Sequence, residues 1–101
     1  MIKHIVMWQL KEFAEGHSKR DNMKFLNEKF SLLSTQIEAI QSLKTGMNIE
    51  ECPFSNYDYV LETTFADFGA LETYQSHPAH QEVARFVREV VSARACVDYE
   101  Y

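Results

Sequence analysis

This sequence predicts an α+β fold, with one four-stranded antiparallel sheet and helices on one side of it, in the order β-α-β-β-α-β. Three observations lead there. Both ends of the chain alternate in character at a period of two, as half-buried strands do. Between residues 18 and 40 the apolar residues recur instead at three- and four-residue steps, the period of a helix. The middle of the chain holds two further strand-like runs separated by the turn cluster CPFSN, and a second helical region follows them.

The first strand is read over residues 2–11. Ile2, His4, Val6, Trp8 and Leu10 share one face, and Lys3, Ile5, Met7, Gln9 and Lys11 the other. Both faces are apolar at the centre, so cover on both sides is expected. A break at residues 16–18 follows, and Ser18 with Asp21 three residues on reads as a helix N-cap. Met23, Leu26, Phe30, Leu33 and Ile37 form the buried stripe of a helix ending near Ile40. SLKTGMNIEE is the second strand, with Gly46 marking a bulge or a close backbone approach. YDYVLETTF is the third, with Tyr57, Tyr59, Leu61, Thr63 and Phe65 on one face.

Asp67 caps a short helix, FGALETYQS, in which Phe68, Leu71 and Tyr74 share a side. Ser76 or His77 caps the next helix, with Pro78 in the first turn, where its missing N–H leaves no bond unmade. Val83, Phe86, Val87, Val90 and Val91 supply the buried face of that helix. ARACVDYEY is the fourth strand, with Ala95, Val97, Tyr99 and Tyr101 on one face and Arg94, Cys96, Asp98 and Glu100 on the other. This is the ferredoxin-like, or split βαβ, plan. Helices on one face leave the other bare, and there Ile5, Met7, Val97, Tyr99 and Tyr101 would form an apolar patch that a partner is expected to cover.

A chain of 101 residues is expected to form one domain, residues 1–101, small enough to draw stability from a second subunit. The net charge of -5 argues against nucleic acid and against an anionic membrane surface. No apolar run is long enough to span a bilayer, and the first ten residues are too interrupted for a signal peptide. Cys52 and Cys96 are the only cysteines, so neither a disulfide framework nor a four-ligand zinc site is expected. Free thiols suit a reducing cytoplasm.

The stretch YQSHPAHQEV, residues 74–83, carries the chemistry in question. As metal ligands, His77 and His80 would share a face near a helix start. A catalytic zinc wants three protein ligands, however, and no zinc spacing is present. No metal and no cofactor are expected. As acid/base groups, His80 and Tyr74 would meet His4 and Asp98 in one cavity if the His4 and Asp98 faces look toward the helices. His80, near the positive end of a helix, would then be neutral and able to act as a base. Asp98 would set the tautomer through one ring nitrogen, and Tyr74 would donate to an enolate oxygen. The bland alternative makes His77 a cap, His80 a packing residue and His4 a satisfied sheet histidine. For His80 with Tyr74 both readings stand. Cys52, before a proline and with no histidine placed to activate it, is not expected to be a nucleophile. Cys96 reads as a small buried residue.

MIKHIVMWQLK at the start, YDYVLETTFADFGALETYQSHPAHQEVARFV in the second half and DYEY at the end resemble the stress-responsive dimeric A/B barrel domain family. The resemblance covers essentially the whole chain, and the KH start with the Y..HP.H block makes it specific. It implies a homodimer in which two ferredoxin-like sheets pack face to face into one α/β barrel. Plant members are associated with stress responses, and a plant polyketide cyclase of the family closes a linear thioester by intramolecular aldol condensation. Its acid/base residues fall on His4, Tyr74 and His80 here, and its pocket aspartate on Asp98. The family's pocket-lining positions on the first helix fall on Leu26 and Phe30. Trp8, on the His4 face, would narrow the pocket, and Leu61 joins these as a substrate-binding residue.

The resemblance thus implies a cofactor-free cyclase or isomerase acting on a carbonyl compound through its enol. Two alternatives stand beside it. One is a non-catalytic, stress-associated dimer binding a small apolar ligand. The other is the monooxygenase-like chemistry of other dimeric α+β barrel families, which no residue here specifically supports.

Overall fold

Every neighbouring pair of strands in the main sheet is antiparallel, in the order β4-β5-β1-β6. The computed structural model describes all 101 residues. In chain order the elements are β1 (Ile2–Leu10), β2 (Phe13–Ala14), β3 (His17–Ser18), α1 (Lys19–Gln36), β4 (Ser42–Met47), β5 (Tyr59–Phe65), α2 (Phe68–Ser76), α3 (Pro78–Val90) and β6 (Val91–Glu100). The expected ferredoxin-like plan is present, with the second helical region in two pieces.

The register of β1 fixes three rows across the inner, helix-covered face. His4 lies between Thr63 and Asp98, Val6 between Leu61 and Cys96, and Trp8 between Tyr59 and Arg94. Side chains alternate faces along a strand, so these rows stack above one another toward the helices. Helix α1 packs over β4 and α2 over β5. The inner residues of the edge strand β6 stay exposed: Arg94, Cys96 and Asp98 have no helix on them. The sequence reading of Cys96 as buried is therefore corrected.

The helix starts follow the caps expected. Ser18 Oγ accepts from the Asp21 N–H at 3.2 Å, and Asp67 Oδ1 from the Ala70 N–H at 2.8 Å. Of the two candidates for α3, His77 is the cap: its Nδ1 accepts from the Ala79 N–H at 3.0 Å, and Pro78 follows in the first turn.

Some boundaries move. Helix α1 stops at Gln36 because Ile37 turns extended, although Ile37 and Ile40 remain buried in the turn beyond it. Strand β4 ends at Met47 and β5 begins only at Tyr59. Just before it, Asp58 still donates its backbone N–H to the Trp8 carbonyl, and its carboxylate accepts from the Leu10 N–H at 2.8 Å and pairs with Lys19 at 3.3 Å. Val91 opens β6 rather than closing α3. The break near Gly16 is a small hairpin, in which Glu15 and Gly16 both take positive φ (52° and 79°). A two-residue loop of that kind matches the twist of its strands. Gly46 is a close approach and not a bulge. The β4–β5 register runs through it, and a Cβ there would stand 3.1 Å from Val60.

The outer face carries Ile5 between Val97 and Glu62, flanked by Met7, Val60, Tyr99 and Tyr101, with Lys44 beside Glu62 and Lys3 beside Tyr99. Val97 is 53% exposed, Tyr99 46% and Met7 38%, high values for apolar side chains on strands. No helix of the chain is long and apolar enough to cross a membrane.

Candidate active site

A cavity of about 290 Å³ lies between the inner face of the sheet and helices α2 and α3, and His4, Tyr74 and His80 all line it. Strand parity turns His4 inward. The buried stripe of α2 turns Leu71 and Tyr74 onto the sheet, and the break at His77 and Pro78 folds α3 back so that His80 meets Tyr74. The ring centroids of Tyr74 and His80 are 4.4 Å apart, and those of Tyr74 and His4 6.1 Å.

Both histidines have a defined hydrogen-bonding state. His80 Nδ1 is 3.0 Å from the Gln75 carbonyl oxygen. A carbonyl only accepts, so Nδ1 carries the proton and Nε2 keeps its lone pair. Gln81 Nε2 donates to the same carbonyl at 2.6 Å. Burial holds His80 below the ordinary imidazole range, against the opposing pull of the Gln75 hydrogen bond. The nearby His4, Arg94 and His77 push in the same direction as burial. Neutrality was expected from the helix N-terminus; desolvation is the larger cause. Burial likewise pushes the Tyr74 phenol up, with Arg94 partly offsetting it, so Tyr74 is a donor at neutral pH and not a base.

His4 is almost fully buried, and its Nδ1 is hydrogen-bonded to the Asp98 carboxylate. The carboxylate can only accept, which leaves His4 Nε2 unprotonated when the ring is neutral.

The family model of the Stress responsive A/B Barrel Domain matches residues 2–101. The chain belongs to this family. Among solved structures similar to this A/B barrel domain is a dimeric protein of unknown function with a ferredoxin-like fold from Bacteroides fragilis. It is 26% identical, with 99% of this chain and 95% of that one covered and a TM-score of 0.81. A Dabb family protein with a ferredoxin-like fold from Mesorhizobium loti is 29% identical over 99% and 95% of the two chains, with a TM-score of 0.71. A hydroxynitrile lyase from Passiflora edulis superposes with a TM-score of 0.80 over 97% and 90%, at 15% identity, a likeness of fold alone. No curated protein sequence matches the chain.

Two residues expected in the pocket of this A/B barrel domain are elsewhere. Asp98 stands behind His4, with its side chain 43% exposed, and does not line the cavity; it fixes the tautomer of His4, not of His80. Leu26 is wholly buried in the core and off the cavity wall. It is Phe30, one turn further along α1, that reaches the cavity and stacks on Trp8 with centroids 5.2 Å apart. Trp8, Phe30 and Leu61 do line it. Four polar residues of the wall were not singled out from sequence: Gln75, Gln81, Arg88 and Arg94. Strand parity already placed Arg94 on the face of Asp98, and Arg88 follows His80 by eight residues on one helical stripe.

Of the histidines of HPAH, His77 has its Nδ1 occupied by the cap to the Ala79 N–H, and His80 its Nδ1 by the Gln75 carbonyl. His4 Nδ1, Cys96 Sγ and the Asp98 carboxylate lie within 4.8 Å of one another, the one cluster of metal-type donors. Asp98 already accepts the hydrogen bond of His4 Nδ1 there. The Cys96 residue is exposed, but its sulfur is partly shielded, 3.8 Å from that nitrogen. This shielding and the charge of Asp98 push the thiol up, so it keeps its proton. Melting curves before and after a strong chelator are accordingly expected to superimpose. A large fall in melting temperature, restored by zinc, would make this cluster a structural metal site.

Proposed function

We propose that this A/B barrel domain works as a homodimer and performs cofactor-free acid/base chemistry on a small carbonyl compound, as a cyclase or isomerase acting through the enol. The observation that carries the reading is the packing of Tyr74 against a histidine whose Nδ1 is tied to the Gln75 carbonyl. The tie leaves His80 Nε2 as the free base, and burial keeps it neutral.

In this scheme His80 Nε2 takes a proton from the carbon beside the carbonyl. The C–H electron pair becomes the C=C bond, the carbonyl π pair moves to oxygen, and the Tyr74 O–H donates a hydrogen bond to that oxygen. Isomerisation ends when the proton returns to a different carbon. Cyclisation ends when the enolate carbon attacks a second carbonyl of the same molecule and the new alkoxide takes the proton back from His80. His4, backed by Asp98, is a second group able to receive or return a proton. Trp8, Phe30 and Leu61 hold the apolar part of the substrate and exclude water.

The dimeric state of the similar ferredoxin-like proteins and the bare outer face support the homodimer. A panel of aryl and alkyl ketones in D₂O tests the chemistry by NMR. The protein is expected to speed exchange of protons beside the carbonyl, and the His80→Ala variant not to. Binding without exchange on any member would make the cavity a ligand-binding site only.

A further inference from the structure

We propose that the cavity selects carbonyl compounds bearing a carboxylate, and that Arg94 is the residue that recognises it, with Arg88 completing the positive end. The inference rests on the enolisation reading for its chemistry but not for its binding.

The chain as a whole is acidic, with 15 Asp and Glu against 10 Lys and Arg. The cavity wall is the reverse: it holds two arginines and two histidines and no carboxylate. Neither arginine has an ion-pair partner, for the chain's salt bridges join Lys19 to Glu12 and Asp58, and His4 to Asp98. Arg88 has another reason to be where it is, since a cation in the last turn of a helix is favoured by the dipole. Arg94 has none. The register of β6 sets it opposite Trp8 on the inner face, where an apolar residue would extend the core. Its positive charge acts on Tyr74 and His80, which line the cavity with it.

The register sets Arg94 in the row of Trp8, two rows from His4, and Arg88 lies about two turns beyond His80 on α3. The two arginines make one part of the cavity wall positive, beside the apolar surface of Trp8 and Phe30. A carboxylate leaving water for such a wall needs charge-assisted hydrogen bonds to replace its hydration, and a guanidinium provides two in parallel.

A matched pair of probes tests this: 3-benzoylpropanoate, an aryl ketone with a carboxylate a few atoms away, and its neutral methyl ester. Trp8 is the only tryptophan and lines the cavity, so its fluorescence reports occupancy, with calorimetry as a check. The acid is expected to bind at least about tenfold more tightly than the ester, in keeping with a charge-assisted hydrogen bond, and more weakly as salt is raised. Arg94→Gln should bring the acid down to the ester's affinity. Arg94→Lys should restore part of the difference, and Arg20→Gln, on the exposed surface of α1, should leave it whole. Equal binding of acid and ester, a preference that survives Arg94→Gln in a folded variant, or no binding of the acid up to millimolar concentration would overturn the proposal. Proton exchange on the same two probes is read separately. Selective binding without exchange would sink the enzyme reading and leave this one standing. Exchange on the ester as fast as on the acid would do the opposite.

Discussion

Val97→Asp is expected to turn the homodimer into monomers or to stop the chain folding. Val97 sits on the edge strand β6 opposite Ile5, with Met7, Tyr99 and Tyr101 around it on the outer face. Apolar area removed from water stabilises by roughly 25 cal/mol per Å². A standard interface hides about 800 Å² on each partner, so the contribution rivals the whole stability of a domain this small. A carboxylate at position 97 would lose its hydration when this face is covered, a cost that an apolar interface does not repay. Sedimentation at micromolar concentration gives the answer: a dimer for the wild type, and half the mass or an unfolded chain for the variant. A monomeric wild type would refute the interface.

His80→Ala should remove nearly all proton-transfer activity while leaving the dimer intact. Losing a positioned general base lowers rates by about 10²- to 10⁴-fold. His77→Ala is the companion measurement. It removes the cap to the Ala79 N–H and should lower stability by about 1 kcal/mol, with activity largely kept.

Titration gives an independent reading of His80. Its folded pKa is held below the ordinary imidazole value of 6.5, chiefly by burial. In that case the unfolded chain binds the proton more readily. The stability tied to a neutral His80 is then complete above about pH 6.5 and is lost as pH falls through the folded pKa. The His80→Ala variant should show a shallower loss of stability over that interval. An NMR titration placing His80 at or above about 6.5 would remove it as the base.

Strand parity made much of this legible before any coordinates. It put His4, Val6 and Trp8 on one side of β1 and Ile5 and Met7 on the other, and it paired Arg94 with Asp98 on one face of β6. What it could not supply was register. That Asp98 meets His4, and not His80, depends on a pairing of strands 94 residues apart. The helical stripe of α1 likewise marked both Leu26 and Phe30 as buried. Which of them reaches the cavity depends on how the helix crosses the sheet, a three-dimensional quantity with no one-dimensional trace. Arg94 was visible as a residue but not as a wall. An arginine in an alternating strand ordinarily belongs to solvent, and only the missing helix cover over β6 makes it part of a site. The partner of His80 left no mark at all, because a main-chain carbonyl is the same whatever side chain it carries.

That carbonyl gives the interruption between α2 and α3 a second meaning. In an unbroken helix the Gln75 oxygen would be taken by the N–H four residues on, that of Ala79. Here the Ala79 N–H goes to the His77 ring instead, and Pro78 has no N–H to offer the turn before. The oxygen is released, and the His80 ring and the Gln81 amide claim it. The ending of one helix thus writes the protonation pattern of a side chain on the next. Any sequence change that lets the two helices fuse would reassign the proton on His80 without touching a residue in the cavity.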